Sequence, residues 1–214
     1  MEGATQIIFQ IVVLIFSVVI HEVSHGYAAL ALGDKTAYYA GRLTLNPVRH
    51  IDLFGSILLP VFSLALGGIV FGWAKPVPYN PYNLRNQKWG PALVGIAGPG
   101  ANIALALIFG TVVRFLPALA DGVPGLFVLN FMTIASTIAL LNLVLAVFNL
   151  VPIPPLDGSK VLFAALPYQW HRLQAFLEQY GFFILLFFIF FFARWLSPIV
   201  IFLFRLITGT FPFF

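Results

Sequence analysis

The chain contains no cysteine, which removes disulfides, thiolate metal ligands and a cysteine nucleophile together. Charge is nearly as scarce: 8% of the residues are Asp, Glu, Lys or Arg, and only seven of the 214 are acidic. A soluble domain needs a polar shell that this composition cannot supply, so the solvent it implies is a lipid bilayer. Any metal must be held by the four His and seven acidic residues. Also missing are a Gly-x-Ser-Gly with a partner histidine and a pair of intramembrane aspartates, which excludes serine and aspartyl chemistry inside a membrane. There is no internal repeat, no low-complexity linker and no loop long enough for a separate domain, so residues 1–214 read as a single domain. The eleven basic residues form no single patch and give no reason to expect a nucleic-acid partner.

What is present is apolar. Runs of spanning length occur at Gln6 to Leu32, Leu53 to Phe71, Pro91 to Leu116, Leu126 to Val151 and Gly181 to Ile207. The first run lacks a basic leader and is too long for the core of a signal peptide, so it reads as a retained transmembrane helix. The second has Pro60 inside it and three basic residues on each side: Lys35, Arg42 and Arg49 before, Lys75, Arg85 and Lys88 after. A full crossing would send one cluster across the membrane, against the positive-inside tendency. A segment that dips in and returns leaves both on the cytoplasmic side, together with Asp157, Lys160, His171 and Arg172, and leaves Asp121 outside. The last run, with Arg194 and Ser197-Pro198, is one kinked span or two pieces. The fold expected is therefore an all-α, multi-pass protein of the cell membrane, with four to five membrane segments, one of them re-entrant.

Chemistry enters at His21-Glu22-Val23-Ser24-His25. Residues four apart share a helix face, so the two imidazoles can reach one ion while Glu22 projects beside it, the geometry of a zinc hydrolase. In such sites the metal acidifies a water and the carboxylate takes its proton. With four His and three Glu in the chain, chance would produce this pattern in roughly one of a thousand shuffled sequences. The plainer alternative is a pair of packing histidines with a partnered Glu, but three such groups together are costly in lipid. At about 1.5 Å per residue, His21 lies roughly 15 to 18 Å inside the helix end, so water must reach it through a polar cavity.

A catalytic zinc takes three protein ligands and leaves a fourth position open. The remaining His and acidic residues sit mostly in ordinary loop settings, His50 and Asp52 among them, where they would anchor the flank of the second run. Asp157 is different, since it ends Asn149-Leu150-Val151-Pro152-Ile153-Pro154-Pro155-Leu156-Asp157-Gly158. Three prolines stop the preceding helix, the glycine permits a sharp turn, and an unwound segment can aim a carboxylate into the bundle. Asn149, on the preceding helix, could simply bond between helices, and Asn142, seven residues earlier on nearly the same face, reads as packing.

The HExxH helix, the later Asn-x-x-Pro-x-Pro-x-x-Asp-Gly and the intervening Gly98-Pro99-Gly100-Ala101-Asn102 together resemble the site-2 protease family of intramembrane zinc metalloproteases, from about Ile11 to Leu162. Leu45-Asn46-Pro47-x-x-His50-Ile51-Asp52 and Gly72-Trp73-Ala74-Lys75-Pro76-x-Pro78 resemble its compact prokaryotic members, which lack a PDZ domain. The resemblance implies one zinc held by His21, His25 and Asp157, Glu22 as catalytic base, Asn149 near the substrate, and cleavage of membrane-protein substrates in or near their transmembrane segments, with the active site towards the cytoplasm. It also suggests a strand at the membrane edge, which the alternation of Gly41-Arg42-Leu43-Thr44-Leu45 would suit. An unwound substrate could add to such a strand. The rival reading is a zinc-binding pseudoprotease or a metal transporter. Transport usually needs repeated, weak sites through both leaflets, whereas here one ligand set lies towards one side.

Overall fold

The computed structural model describes residues 2–58, 74–119, 122 and 124–210. Among the described residues seven α-helices follow in order: α1 (Glu2–Ala31), the short α2 (Thr36–Tyr39), α3 (Gly90–Leu119), α4 (Gly125–Asn149), α5 (Gly158–Ala165), α6 (His171–Phe191) and α7 (Leu196–Thr208). Single turns at Pro47–His50, Leu53–Leu58 and Pro81–Asn83 lie between α2 and α3. Among the described residues four helices are long and apolar enough to cross a membrane, over Thr5–Ala31, Gly90–Leu119, Gly125–Asn149 and His171–Phe191. In lipid a chain must satisfy its backbone internally, which is why these apolar runs fold as helices. The protein is an all-helical membrane protein.

The helix α3 is central. It packs along α1 and α4, and also against α5 and α7. Its contact residues are small, with Ala92, Gly95, Gly98 and Ala106 all buried, and small residues let helix backbones approach where water supplies no hydrophobic push. One apolar cluster, Ala106, Ala139, Leu143, Val200 and Phe204, ties α3, α4 and α7 together at one end. A second, Ala29, Leu84 and Val94, joins α1, α3 and the loop before α3 at the other. Between the two clusters the interior is polar. Large apolar side chains such as Ile8, Ile11, Phe16, Phe183 and Phe187 face outward, as a lipid-exposed surface would.

The last apolar run is two helices. α6 ends at Phe191, a turn over Ala193–Trp195 follows, and α7 starts at Leu196. Pro198 falls in the first turn of α7, where its missing N–H breaks no helical bond. The strand expected over Gly41 to Leu45 is not there: no strand forms among the described residues. A strand needs a ladder partner, and this stretch spends its polar groups elsewhere. Arg42 N–H donates to Ala37 O, and its guanidinium, buried instead of exposed, donates to Lys75 O. The re-entrant course expected for Leu53 to Phe71 lies outside the described residues except for the turn Leu53–Leu58, as does Asp121.

The polar end of α1 is closed by one carboxylate. Asp34 is fully buried; its Oδ1 accepts from Thr36 N–H, Thr36 Oγ1 and Asn83 Nδ2, and its Oδ2 from Asn80 N–H. Arg85 N–H adds a bond to Leu32 O, so the loop before α3 is fastened to α1. Burial alone would raise the Asp34 carboxyl, but the bonds from Thr36, Asn83 and Asn80 outweigh it and hold it below the ordinary carboxylate range. Asp34→Ala strands the Asn80 and Asn83 donors, at about 1–3 kcal/mol for each group left unsatisfied, and a lower melting temperature in detergent is the expected result. Because the folded pKa is lowered, this contribution is complete above the unfolded value near about 4. It is lost as pH falls through the folded value, so the difference between wild type and variant should shrink in acid.

Candidate metal centre

One helix and the start of another converge on one point. His21 and His25 come from successive turns of one face of α1, and Asp157 is the residue before α5, at the end of the proline-rich loop that follows α4. His21 Nε2 lies 3.0 Å from His25 Nε2 and 3.0 Å from Asp157 Oδ2, and His25 Nε2 is 3.1 Å from the same Oδ2. All three residues are buried. Of the His and acidic residues weighed as ligands in the sequence, the structure brings these three together as a group that could hold a metal.

The tautomers follow from the other ring nitrogens. His21 Nδ1 is 2.6 Å from Asn102 Oδ1, and His25 Nδ1 is 2.6 Å from the Val94 carbonyl. A carbonyl oxygen only accepts, so in each ring Nδ1 carries a proton and Nε2 is the nitrogen left facing the shared point. The Asn102 amide is oriented by its own bonds: its Nδ2 donates to Asn142 Oδ1 at 2.7 Å, and Asn142 Nδ2 donates to Ser17 Oγ at 2.9 Å. Two imidazole Nε2 atoms and a carboxylate oxygen therefore converge on one point, each a possible metal ligand. A four-coordinate zinc with bonds of about 2.0–2.1 Å holds its donors about 3.3 Å apart, close to the triangle seen, so the residues fit the ion.

Room for the ion is secured by glycine. A Cβ at Gly98 would lie 2.5 Å from His25 Cε1 and Nε2 and 2.6 Å from His21 Nε2, so the backbone of α3 forms the wall behind the imidazoles. Gly158 has a different reason from the sharp turn expected of it. It begins α5 without a positive φ, and what it provides is closeness, since a Cβ there would run into the Leu150 and Val151 carbonyls. That contact folds the proline-rich loop back so that Asp157 faces α1.

Glu22 lies beside the cluster, and its Oε2 accepts from Val77 N–H at 2.9 Å. Val77 stands between two prolines, so its N–H is the only one of that tripeptide. Asp157 Oδ1, turned away from the histidines, accepts from Lys160 Nζ at 2.8 Å. Lys160 also lines an open cleft of ≈ 870 Å³ with Tyr79, Lys88, Trp170 and His171, which brings open space to within one side chain of the cluster. Asn149 lies in the last turn of α4, its Nδ2 donating to Leu145 O. His50 and Asp52 fasten loops: His50 bonds Thr44 O and Lys75 N–H, and Asp52 accepts from Gly55 N–H.

Reasoning from the sequence missed Ser17 and Lys160, and met Asn102 only as part of a motif. Ser17 stands four residues before His21 on the same face, and Lys160 stands three after Asp157, so spacing held a signal for both. Asn142 read as packing; it is an interhelical link two bonds from His21.

A family model, peptidase family M50, matches residues 9–123 and 125–192. Such a match covers most of the chain, and the protein belongs to that family, the site-2 protease-like zinc metalloproteases. It is 37% identical to the proposed zinc metalloprotease YwhC of Bacillus subtilis over 178 residues, 83% of this chain and 78% of that one. Over 172 residues it is 33% identical to the proposed zinc metalloprotease Rip2 of Mycolicibacterium smegmatis, 79% of this chain and 62% of the relative. The zinc metalloprotease MJ0392 of Methanocaldococcus jannaschii is 29% identical over 164 residues, 77% of this chain and 36% of that longer protein. No solved structure matches the chain significantly.

Proposed function

We propose that this protein hydrolyses peptide bonds in or near the transmembrane segments of membrane-protein substrates, at one zinc held by His21, His25 and Asp157, with Glu22 as general base. The observation that carries the reading is the convergence of two imidazole Nε2 atoms and one carboxylate oxygen, all buried and within 3.1 Å of one another. Zinc in that position supplies a Lewis acid for the scissile carbonyl and acidifies water near neutral pH. The rest is done by the chain. Asn102 and Val94 hold both imidazoles in the tautomer that presents Nε2. Val77 N–H fixes one oxygen of Glu22, leaving Oε1 to take a proton from water and return it to the departing amine nitrogen. Asn149, where α4 gives way to the proline-rich loop, is proposed to lie against the substrate.

On this reading residues 1–214 act as a single intramembrane metalloprotease domain with the site towards the cytoplasm. Lys35, Arg42, Lys75, Arg85, Lys88 and Lys160 support that orientation, because they follow or precede spans at the end where α1 closes. The test is zinc per chain in detergent-purified protein, with cleavage of a peptide containing a transmembrane segment. Wild type should hold one zinc, Asp157→Ala should lose most of it, and a chelator should stop cleavage until zinc is returned. Well-folded wild type that takes up no zinc, or Asp157→Ala that keeps it, would overturn the proposal.

A further inference from the structure

The carboxylate of Asp157 is shared between two unlike partners. Oδ2 faces the imidazoles at 3.0 and 3.1 Å, while Oδ1 is held by Lys160 Nζ at 2.8 Å. Lys160 is itself fixed at three points. Its stem lies against α3, with Cβ and Cδ 3.1 and 3.0 Å from where a Cβ of Gly95 would be. Its ammonium sits 5.6 Å over the Tyr79 ring and against Asp157. The Asp157 side chain is 8% exposed and that of Lys160 27%, so this is no solvated surface pair of the kind that contributes little.

We propose that Lys160 is a positioning residue that compels Asp157 to bind metal through Oδ2 alone. A carboxylate free to rotate can chelate with both oxygens, as carboxylates do on other cations. In this site a second oxygen would occupy the coordination position that a catalytic zinc must leave open. An ammonium, a compact point charge on a tethered stem, occupies Oδ1 without competing for Oδ2. The arrangement parallels the one on the opposite side of the cluster, where Asn102 and Val94 hold the nitrogens that do not face the ion. The ligand set is thus supported from the bundle interior by an amide and a carbonyl and from the cleft side by a cation. The inference rests on the reading of Asp157 as a metal ligand.

The experiment loads purified wild type, Lys160→Met, Lys160→Arg and Asp157→Ala with Co²⁺ and records the visible absorption, then measures zinc affinity by chelator competition. Wild type should show the intense bands of a four-coordinate ion. Lys160→Met should show the weaker bands of a higher coordination number and bind zinc about 10–100-fold more weakly, the usual cost of losing an outer partner. Lys160→Arg, which keeps the charge, should restore the wild-type spectrum. A Lys160→Met spectrum and affinity equal to wild type, with metal lost in Asp157→Ala, would overturn the role of Lys160 and leave the site intact. Metal retained in Asp157→Ala would overturn the underlying ligand assignment instead. If Lys160→Met does not purify as a folded protein, Lys160→Gln carries the same comparison, with the same spectral change expected.

Discussion

Glu22→Gln should keep its full complement of zinc and lose turnover by about 10²–10⁴-fold, the range that a positioned general base contributes. The substitution preserves shape and still accepts the Val77 N–H bond through its amide oxygen, so the loop before α3 has no reason to move. What disappears is a site able to take a proton. Glu22 is not one of the three convergent groups, and metal content should be unchanged. The measurement pairs zinc per chain with cleavage of a membrane-span peptide. Retained activity would remove Glu22 from the mechanism, and lost zinc would mean that it supports the ligands rather than the chemistry.

Gly98→Ala should give a folded protein that holds almost no zinc. One methyl group placed 2.5 Å from two atoms of His25 and 2.6 Å from His21 Nε2 cannot coexist with the imidazoles as they stand. Either the rings turn away and give up their bonds to Asn102 and Val94, or the methyl takes the space of the ion. Overpacking of this kind costs about 1–3 kcal/mol, which α3, packed along both α1 and α4, can absorb. The control lies two residues on: Gly100 is in the same helix, and a Cβ there meets nothing within 4 Å. Gly100→Ala should leave metal content at the wild-type level, so a difference between the two variants isolates the wall of the site from general helix effects.

The parts of this site that could be read from the sequence are those set by local spacing. HExxH declares its own geometry, because four residues on a helix bring two rings to one face. Asp157 could be singled out because the prolines before it forbid a helix and few other carboxylates exist. Distant partners were harder. Nothing local says that Asn102 will meet His21 across 81 residues, or that a backbone N–H at Val77 will meet Glu22. The strand expected at Gly41 to Leu45 failed because alternation reports which side chains face protein, whereas a strand requires a second backbone alongside. Arg42 turned inward and found Lys75 O instead. The last apolar run was left open between one kinked span and two pieces because hydropathy is blind to a break that keeps apolar residues on both sides of it.

The separation of the three convergent residues along the chain also bears on how the protein is made. Asp157 is synthesised 136 residues after His21, which at about 5–20 residues per second is an interval of roughly 7 to 27 s. Throughout it, α1 must reside in or beside the membrane with two histidines and a glutamate that have not met their final partners. Asn102 arrives 81 residues after His21 and can set one imidazole early, but a three-ligand cradle cannot close until the proline-rich loop has left the ribosome. Capture of a metal by these three residues would therefore be a late event in biogenesis, with the newborn helix depending on its long apolar flank to stay inserted until then.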